Sequence, residues 1–413
     1  MAGLLIRGGR IVDPVAGIDA RGDLRVSDGL VIELGAQLEP RDDERIIDAS
    51  NAIVAPGFID MHVHLREPGY PEKETIATGT EAAVRGGFTA VACMPNTNPA
   101  LDAAETLGDL QERVARDARC RVYPIAAMTL ERKGLQPCDY PALARAGAVG
   151  FSDDGDTVRD ARVMFEAAML ALETDGVFIS HCEDPSFASA SGAPAIAEDL
   201  AAARDLLIAI ATRKRWHIAH CSTARVIELI AWARERGARV TCEATPHHLI
   251  LTSDVAADLG PASRVNPPLR TQADCAALRR AVFDGTLDAL ATDHAPHTAR
   301  EKSGEDAPAA PGFSGLEIAV GAYALALEGL PLARFIELLS CNPAQILGVA
   351  GGTLRAGAPA DVTIFAEREW IVDPSRFASK GKTTPFSGRR LPRRVVATVV
   401  AGEIRYLAPE LAA

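Results

Sequence analysis

Ile59-Asp60-Met61-His62-Val63-His64-Leu65-Arg66 is an apolar run that ends in two histidines two residues apart. Along a β-strand, residues i and i+2 face the same side, so both imidazoles can reach one metal ion. Arg66 extends that alternation and offers an anion clamp beside the metal. A metal next to an anion clamp suggests hydrolysis of a small acidic molecule. The alternative is an edge strand with two incidental histidines, and a bare His-x-His does not decide between the two.

The pattern around this run does decide. It opens a series of eight short apolar runs, each followed by a turn and usually a helical pattern: Ile53 to Met61, Phe88 to Met94, Arg121 to Ala127, Ala148 to Ser152, Val177 to Ser180, Trp216 to Ala219, Val240 to Ala244 and Leu287 to Thr292. Alternating strand and helix units predict a parallel sheet, and eight of them predict a closed (β/α)8 TIM-type barrel. An open doubly wound sheet is the rival, but no glycine-rich dinucleotide fingerprint follows the first strand. Residues 1 to 54 and 352 to 413 instead alternate short β-like runs with turns. Neither end has enough strands for a core of its own. Together they are expected to form a small β-sandwich domain from both termini, leaving 55 to 351 as the barrel.

The length of 413 residues, with 48% hydrophobic and 24% charged residues, fits a globular protein with a large core. A net charge of -12 argues against a nucleic-acid surface, without excluding an anionic substrate held by local charge. The eight cysteines show no Cys-x-x-Cys spacing, which predicts neither a disulfide framework nor a structural zinc site. The first apolar run, Leu4-Leu5-Ile6, is too short for a signal peptide, and no stretch is long enough to cross a membrane. A cytoplasmic location is the expectation.

Barrel active sites lie at the C-terminal ends of the strands. There the sequence places His62 and His64 after the first strand and Asp153-Asp154 after the fourth. His181, His220 and Asp293-His294 follow the fifth, sixth and eighth. Any one of these is more often structural. Four histidines with carboxylates on one rim make a nitrogen and oxygen site suited to zinc. Zinc lowers the pKa of its water to roughly 7 and polarises a carbonyl. Asp293 is the candidate to take and return the proton, and metal ligation is a compatible role for it.

The chain resembles class I dihydroorotase of the amidohydrolase superfamily. The runs that carry the likeness are Gly57 to Gly69, Met94-Pro95-Asn96-Thr97-Asn98-Pro99, Phe151-Ser152-Asp153-Asp154-Gly155 and His181-Cys182-Glu183-Asp184. Further on come Thr245-Pro246-His247-His248, Val265 to Arg270, Ala291 to His297 and Lys382-Thr383-Thr384-Pro385-Phe386. The resemblance implies reversible hydrolysis of dihydroorotate to carbamoyl aspartate in pyrimidine biosynthesis, with one or two Zn2+ per subunit. It implies His62, His64 and Asp293 on one zinc, His181 and His220 on a second, and Asp154 between them, the choice over Asp153 resting on family spacing. Asp293 would also be the general acid and base. His64, Arg66, Asn96, Asn266, His297, Pro311 and Gly312 would bind substrate, with Arg66 and Asn96 on its carboxylate. Asn96 and Asn266 sit beside prolines and read equally as turn residues, and His297 as an ordinary loop histidine. His217, His247, His248 and His294 read as packing residues or supports of the ligands.

One departure from the family pattern stands out. Between His181 and His220 the chain is shorter than expected, with Pro185 to Ala193 running straight into Pro194-Ala195-Ile196-Ala197-Glu198. Two other readings share these motifs: another cyclic amidohydrolase acting on hydantoins, dihydropyrimidines or allantoin, and a catalytically silent partner of aspartate transcarbamoylase. Arg66 separates the first, because a neutral ring gives it no carboxylate. The intact ligand set opposes the second. A homodimer and an aspartate transcarbamoylase complex are expectations from the family alone.

Overall fold

The computed structural model describes residues 3–187, 192–305 and 307–409. The N-terminal segment supplies strands β1 (Leu4–Asp13), β2 (Ile18–Ser27), β3 (Leu30–Gly35), β4 (Arg45–Asp48) and β5 (Ile53–Pro56). Next come β6 (Phe58–Val63), β7 (Phe88–Cys93), β8 (Arg121–Ala126), β9 (Gly150–Phe151), β10 (Val177–Ser180), β11 (Trp216–Ile218), β12 (Val240–Ala244) and β13 (Ala289–Leu290). The C-terminal segment adds β14 (Val362–Ala366), β15 (Trp370–Ile371), β16 (Arg390–Leu391), β17 (Arg394–Val400) and β18 (Glu403–Leu407).

Strands β6 to β13 form one parallel sheet in sequence order, wrapped by helices, which is the (β/α)8 barrel. The two ends of the sheet meet through bridges rather than a full ladder. Val63 bridges His294, and the His64 amide donates to the His294 carbonyl at 2.8 Å. Below this the Asp60 carboxylate accepts from the Thr292 hydroxyl (2.6 Å) and amide (3.1 Å). Burial pushes the Asp60 pKa up to about 7 despite those bonds. This clasp explains why the eighth strand is only two residues long, where the apolar run Leu287 to Thr292 predicts more. Apolar side chains (Ile59, Met61, Ala90, Ala92, Ile125, Ile179) fill the barrel interior.

The second sheet joins both chain ends in the order β18-β17-β14-β5-β1-β2-β3, with β4 also on β1. Its core includes Leu4, Ile6, Leu24, Val26, Val362 and Val399. The run Ile53 to Met61, expected as one strand, is two. Ile53–Pro56 pairs with β14 and β1, and Phe58–Val63 opens the barrel. The switch is at Gly57, where a Cβ would lie 2.1 Å from Thr89 Oγ1, so only glycine lets the chain pass. Among the described residues no helix is long and apolar enough to cross a membrane.

Candidate metal centre

Strand β6 does not deliver its histidines by simple alternation. Its pairing with β7 shifts register between Asp60 and Val63. Such an irregularity re-aims side chains, so Met61 packs inside the barrel while His62 and His64 both face the rim. The strand stops at Val63, and Arg66 is not on it. Arg66 has φ +61°, a left-handed turn residue, which corrects the expectation that it continues the alternation. His220 (φ 31°) and Asp293 (φ 49°) share this uncommon backbone region. Such backbone strain is typically stored where a side chain must be aimed.

Asp154 is the hub. Its Oδ1 lies 3.2 Å from His62 Nε2 and 3.5 Å from both His181 Nδ1 and His220 Nε2, and its Oδ2 is 3.4 Å from His64 Nε2. Asp293 Oδ1 lies 3.2 Å from His64 Nε2 and 3.7 Å from His62 Nε2. His181 Nδ1 and His220 Nε2 are 3.0 Å apart. All six side chains are buried. Asp153 is turned away, its carboxylate accepting from the Met128 and Thr129 amides and the Thr129 hydroxyl. The structure therefore brings Asp154, not its neighbour, to the histidines.

The tautomers follow from the other ring nitrogens. His62 Nδ1 donates to Glu243 Oε1 (3.0 Å), His64 Nδ1 to Asn96 Oδ1 (2.8 Å) and His181 Nε2 to Glu183 Oε2 (3.3 Å). In the neutral rings these protons point outward, which turns the remaining nitrogens toward the carboxylates, the arrangement metal-ligating histidines adopt. His62 Nε2 and Asp154 Oδ1, though close, are buried with no hydrogen-bond partner. Orphaned polar atoms of this kind demand an explanation, and a shared cation provides one. Two overlapping groups have ligand atoms close enough to hold an ion: His62, His64 and Asp293, and His62, Asp154 and His220.

The electrostatics agree. Burial opposes charge on Asp154, yet His62, His181 and His220 around it hold its carboxyl well below the usual range. Burial likewise opposes ionisation of Asp293, and His64, His62 and His220 outweigh it and keep the pKa low. Burial works against a charged His62, but Asp154, Glu243 and Asp293 lift its pKa well above the ordinary value. The pocket is thus built to hold positive charge.

Beside the cluster, Arg66 is buried. Its Nε donates to the Pro296 carbonyl at 3.2 Å, and its Nη2 lies 3.2 Å from His297 Nε2. His297 Nε2 is also 2.9 Å from the Pro311 carbonyl, and its single proton serves that acceptor. Burial first, then Arg66 and Lys73, push the His297 pKa down to about 3, so the ring is neutral. Asn266 lines a cavity of about 450 Å³ together with Arg264, Pro268 and Ala309. His248 supports that loop through the Pro267 carbonyl at 2.9 Å, and His247 packs edge-on against Phe313. His294 Nε2 faces the buried Glu74 carboxylate at 3.4 Å, and its Nδ1 accepts from the Gly315 amide. His217 Nε2 lies 3.3 Å from Glu243 Oε2. Residues 188–191 of the shortened segment lie outside the described residues.

Sequence reasoning passed over Glu243 and Glu183. Glu243 lies on β12, a strand read for its apolar residues only, and a glutamate inside such a run was the available signal. Glu183 stood in a quoted motif without a role.

Residues 51–225 match a family model described as dihydro-orotase-like. A dihydroorotase from Pelotomaculum thermopropionicum is 45% identical over 97% of this chain and 98% of that protein. One from Syntrophus aciditrophicus is 41% identical over 98% and 99% respectively. Among solved structures, an L-hydantoinase (dihydropyrimidinase) from Arthrobacter aurescens is similar with a TM-score of 0.89 at 26% identity, covering 98% of this chain and 96% of its own. A dihydropyrimidinase from Brevibacillus agri, at 21% identity over 97% and 94%, shares the fold with a TM-score of 0.86.

Proposed function

The chain belongs to the dihydroorotase family, and from that premise we propose that the cluster around Asp154 interconverts (S)-dihydroorotate and N-carbamoyl-L-aspartate in pyrimidine biosynthesis. The observation that carries the substrate is Arg66. It is a buried cation whose Nε donates to the neutral Pro296 carbonyl, and it makes no ion pair among the described residues. A buried charge without a counter-charge is costly. The planar carboxylate of dihydroorotate supplies that counter-charge in the bidentate geometry a guanidinium prefers.

Imidazole nitrogens with carboxylate oxygens suit zinc. His62, His64 and Asp293 would hold one ion, His181 and His220 a second, and Asp154 would lie between them. When bound, zinc polarises the ring amide carbonyl and acidifies the water that adds to it. Asp293, ionised at neutral pH, accepts the proton of that water. As the new C–O bond forms and the ring C–N bond breaks, it returns the proton to the departing nitrogen. Asn96, spent on His64 through Oδ1, keeps its amide nitrogen as a donor to the carboxylate that Arg66 holds. Asn266, His297 and the Pro311–Gly312 backbone would grip the ring.

The test is hydrolysis of dihydroorotate by zinc-replete protein, with bound metal measured in the same sample and the assay repeated after chelation. Turnover that vanishes with the metal and returns with zinc is the expected result. Full zinc occupancy without turnover would favour a different cyclic amide. The likeness to hydantoinases keeps that second reading in view, and a hydantoin and dihydrouracil assayed alongside would reveal it.

A further inference from the structure

Lys302 lies in the short helix Ala299–Ser303, outside the metal cluster, and is only 4% exposed. Its ammonium donates to three backbone carbonyls, those of Gly312 (2.8 Å), Ala310 (2.9 Å) and Arg264 (3.4 Å). It makes no ion pair among the described residues. A lysine is seldom buried without a carboxylate. Burial pushes its pKa down to about 8, which still leaves it mostly protonated at neutral pH.

The three carbonyls belong to two separate loops. Arg264 lies two residues before Asn266, and Ala310 and Gly312 flank Pro311. The Gly312 amide closes the junction by donating to the Arg264 carbonyl at 2.9 Å. Gly312 itself has φ +116°, and a Cβ there would lie 2.6 Å from that of Ala295, so the loop can take only one course past the site. Arg264, Asn266 and Ala309 line the same cavity. One side chain therefore sets the distance between the two loops that would grip the ring.

We propose that Lys302 is a positioning residue that fixes Asn266 against the Pro311–Gly312 backbone and thereby sets substrate affinity. The proposal rests on the reading of the site as dihydroorotate-binding. Loss of the ammonium frees the loops without touching the metal ligands or Asp293, so it should weaken ground-state grip more than the chemical step.

The experiment is steady-state kinetics of Lys302→Met and Lys302→Gln in both reaction directions, with bound zinc measured. Lys214→Met serves as the control, since Lys214 is equally buried but its ammonium bonds the Ala171 and Thr174 carbonyls instead of these loops. The expected result is a KM raised about tenfold or more, with kcat within about threefold of the parent and metal content intact. Lys214→Met should leave KM unchanged. Amide exchange at Gly312, faster in the Lys302 variants, gives a second readout that a global loss of stability would not confine to that loop. A wild-type KM in either folded Lys302 variant overturns the proposal, as does an equal change in the Lys214 variant. If the parent ignores dihydroorotate but opens another cyclic amide, the substrate reading has failed, and the same KM comparison on that amide still decides the role of Lys302.

Discussion

At the rim where the barrel strands end, buried polar atoms are left without partners. At the opposite mouth, among the described residues, Lys214, Arg215, Arg234 and Arg334 all find acceptors. Lys214, 3% exposed, donates to the Ala171 and Thr174 carbonyls at 2.6 and 2.8 Å and to the Thr174 hydroxyl. Arg215 spans the Asp175 and Ile346 carbonyls, Arg234 ties the Thr286 carbonyl to Asp288, and Arg334 caps Leu287. These bonds stitch one strand start to the next. His62 Nε2 and Asp154 Oδ1 have no hydrogen-bond partner, although they lie only 3.2 Å apart. Burial is common to both ends, so burial alone does not mark a site. Unsatisfied atoms from several strands that converge on one point do.

The largest break in this comparison is Asp154→Asn. One substitution removes the charge that touches all four histidines. Several kcal/mol of charge stabilisation go with the metal, so turnover should fall by about three orders of magnitude or more. Metal analysis of the purified variant should show zinc well below the parent's content. A variant that keeps full zinc and activity would refute Asp154 as the hub.

Next is Arg66→Met. Truncating one member of a buried charge pair typically costs about 2 to 5 kcal/mol, so kcat/KM for dihydroorotate should drop at least about thirtyfold. Metal content should not move, and any trace activity on a neutral hydantoin should be spared. An equal loss on both rings would remove the carboxylate clamp and weaken the case for dihydroorotate itself.

Glu243→Gln is subtler. Glu243 holds the His62 Nδ1 proton and lies 3.3 Å from the His220 amide, so it supports members of both side-chain groups that could hold an ion. Loss of such a partner lowers metal affinity by about 10- to 100-fold. Zinc should leave the variant faster in a chelator competition, and excess zinc should restore most of the turnover. Unchanged retention would make Glu243 a packing residue only.

How far the sequence reveals this comparison depends on the range of each contact. Histidines at strand ends were legible because strand, turn and rim are local properties, and eight repeats of one unit specify a barrel. The Asp60 to Val63 irregularity and the left-handed turn at Arg66 were not, because tertiary pairing imposes them on an ordinary-looking strand. Nor was the change of sheet at Gly57, since a continuous apolar run hides where its partner changes. Asp153 and Asp154 are adjacent and chemically identical in sequence. Only the amides of Met128 and Thr129, about two dozen residues earlier, claim one and leave the other for the histidines. Glu243 reaches His62 across 181 residues and the barrel interior, a contact no local pattern encodes.

The smallest effect tests the opposite mouth. Lys214→Met leaves the Ala171 and Thr174 carbonyls without their donor, and such orphaned groups cost about 1 to 3 kcal/mol. Stability should fall by roughly that amount at neutral pH, with zinc content and kcat unchanged. The pH dependence supplies a second, signed check. Burial lowers the Lys214 pKa from 10.5 to about 8, with Arg215 adding to the shift. Between those two values the unfolded chain binds the proton that the folded one has released, so the contribution of Lys214 to stability rises with pH. The gap between parent and variant in chemical denaturation should therefore widen from pH 8 to 10. A gap that narrows over that range would mean that the ammonium, rather than the three acceptors around it, is what this end of the barrel favours. That mouth would then be an electrostatic device like the rim.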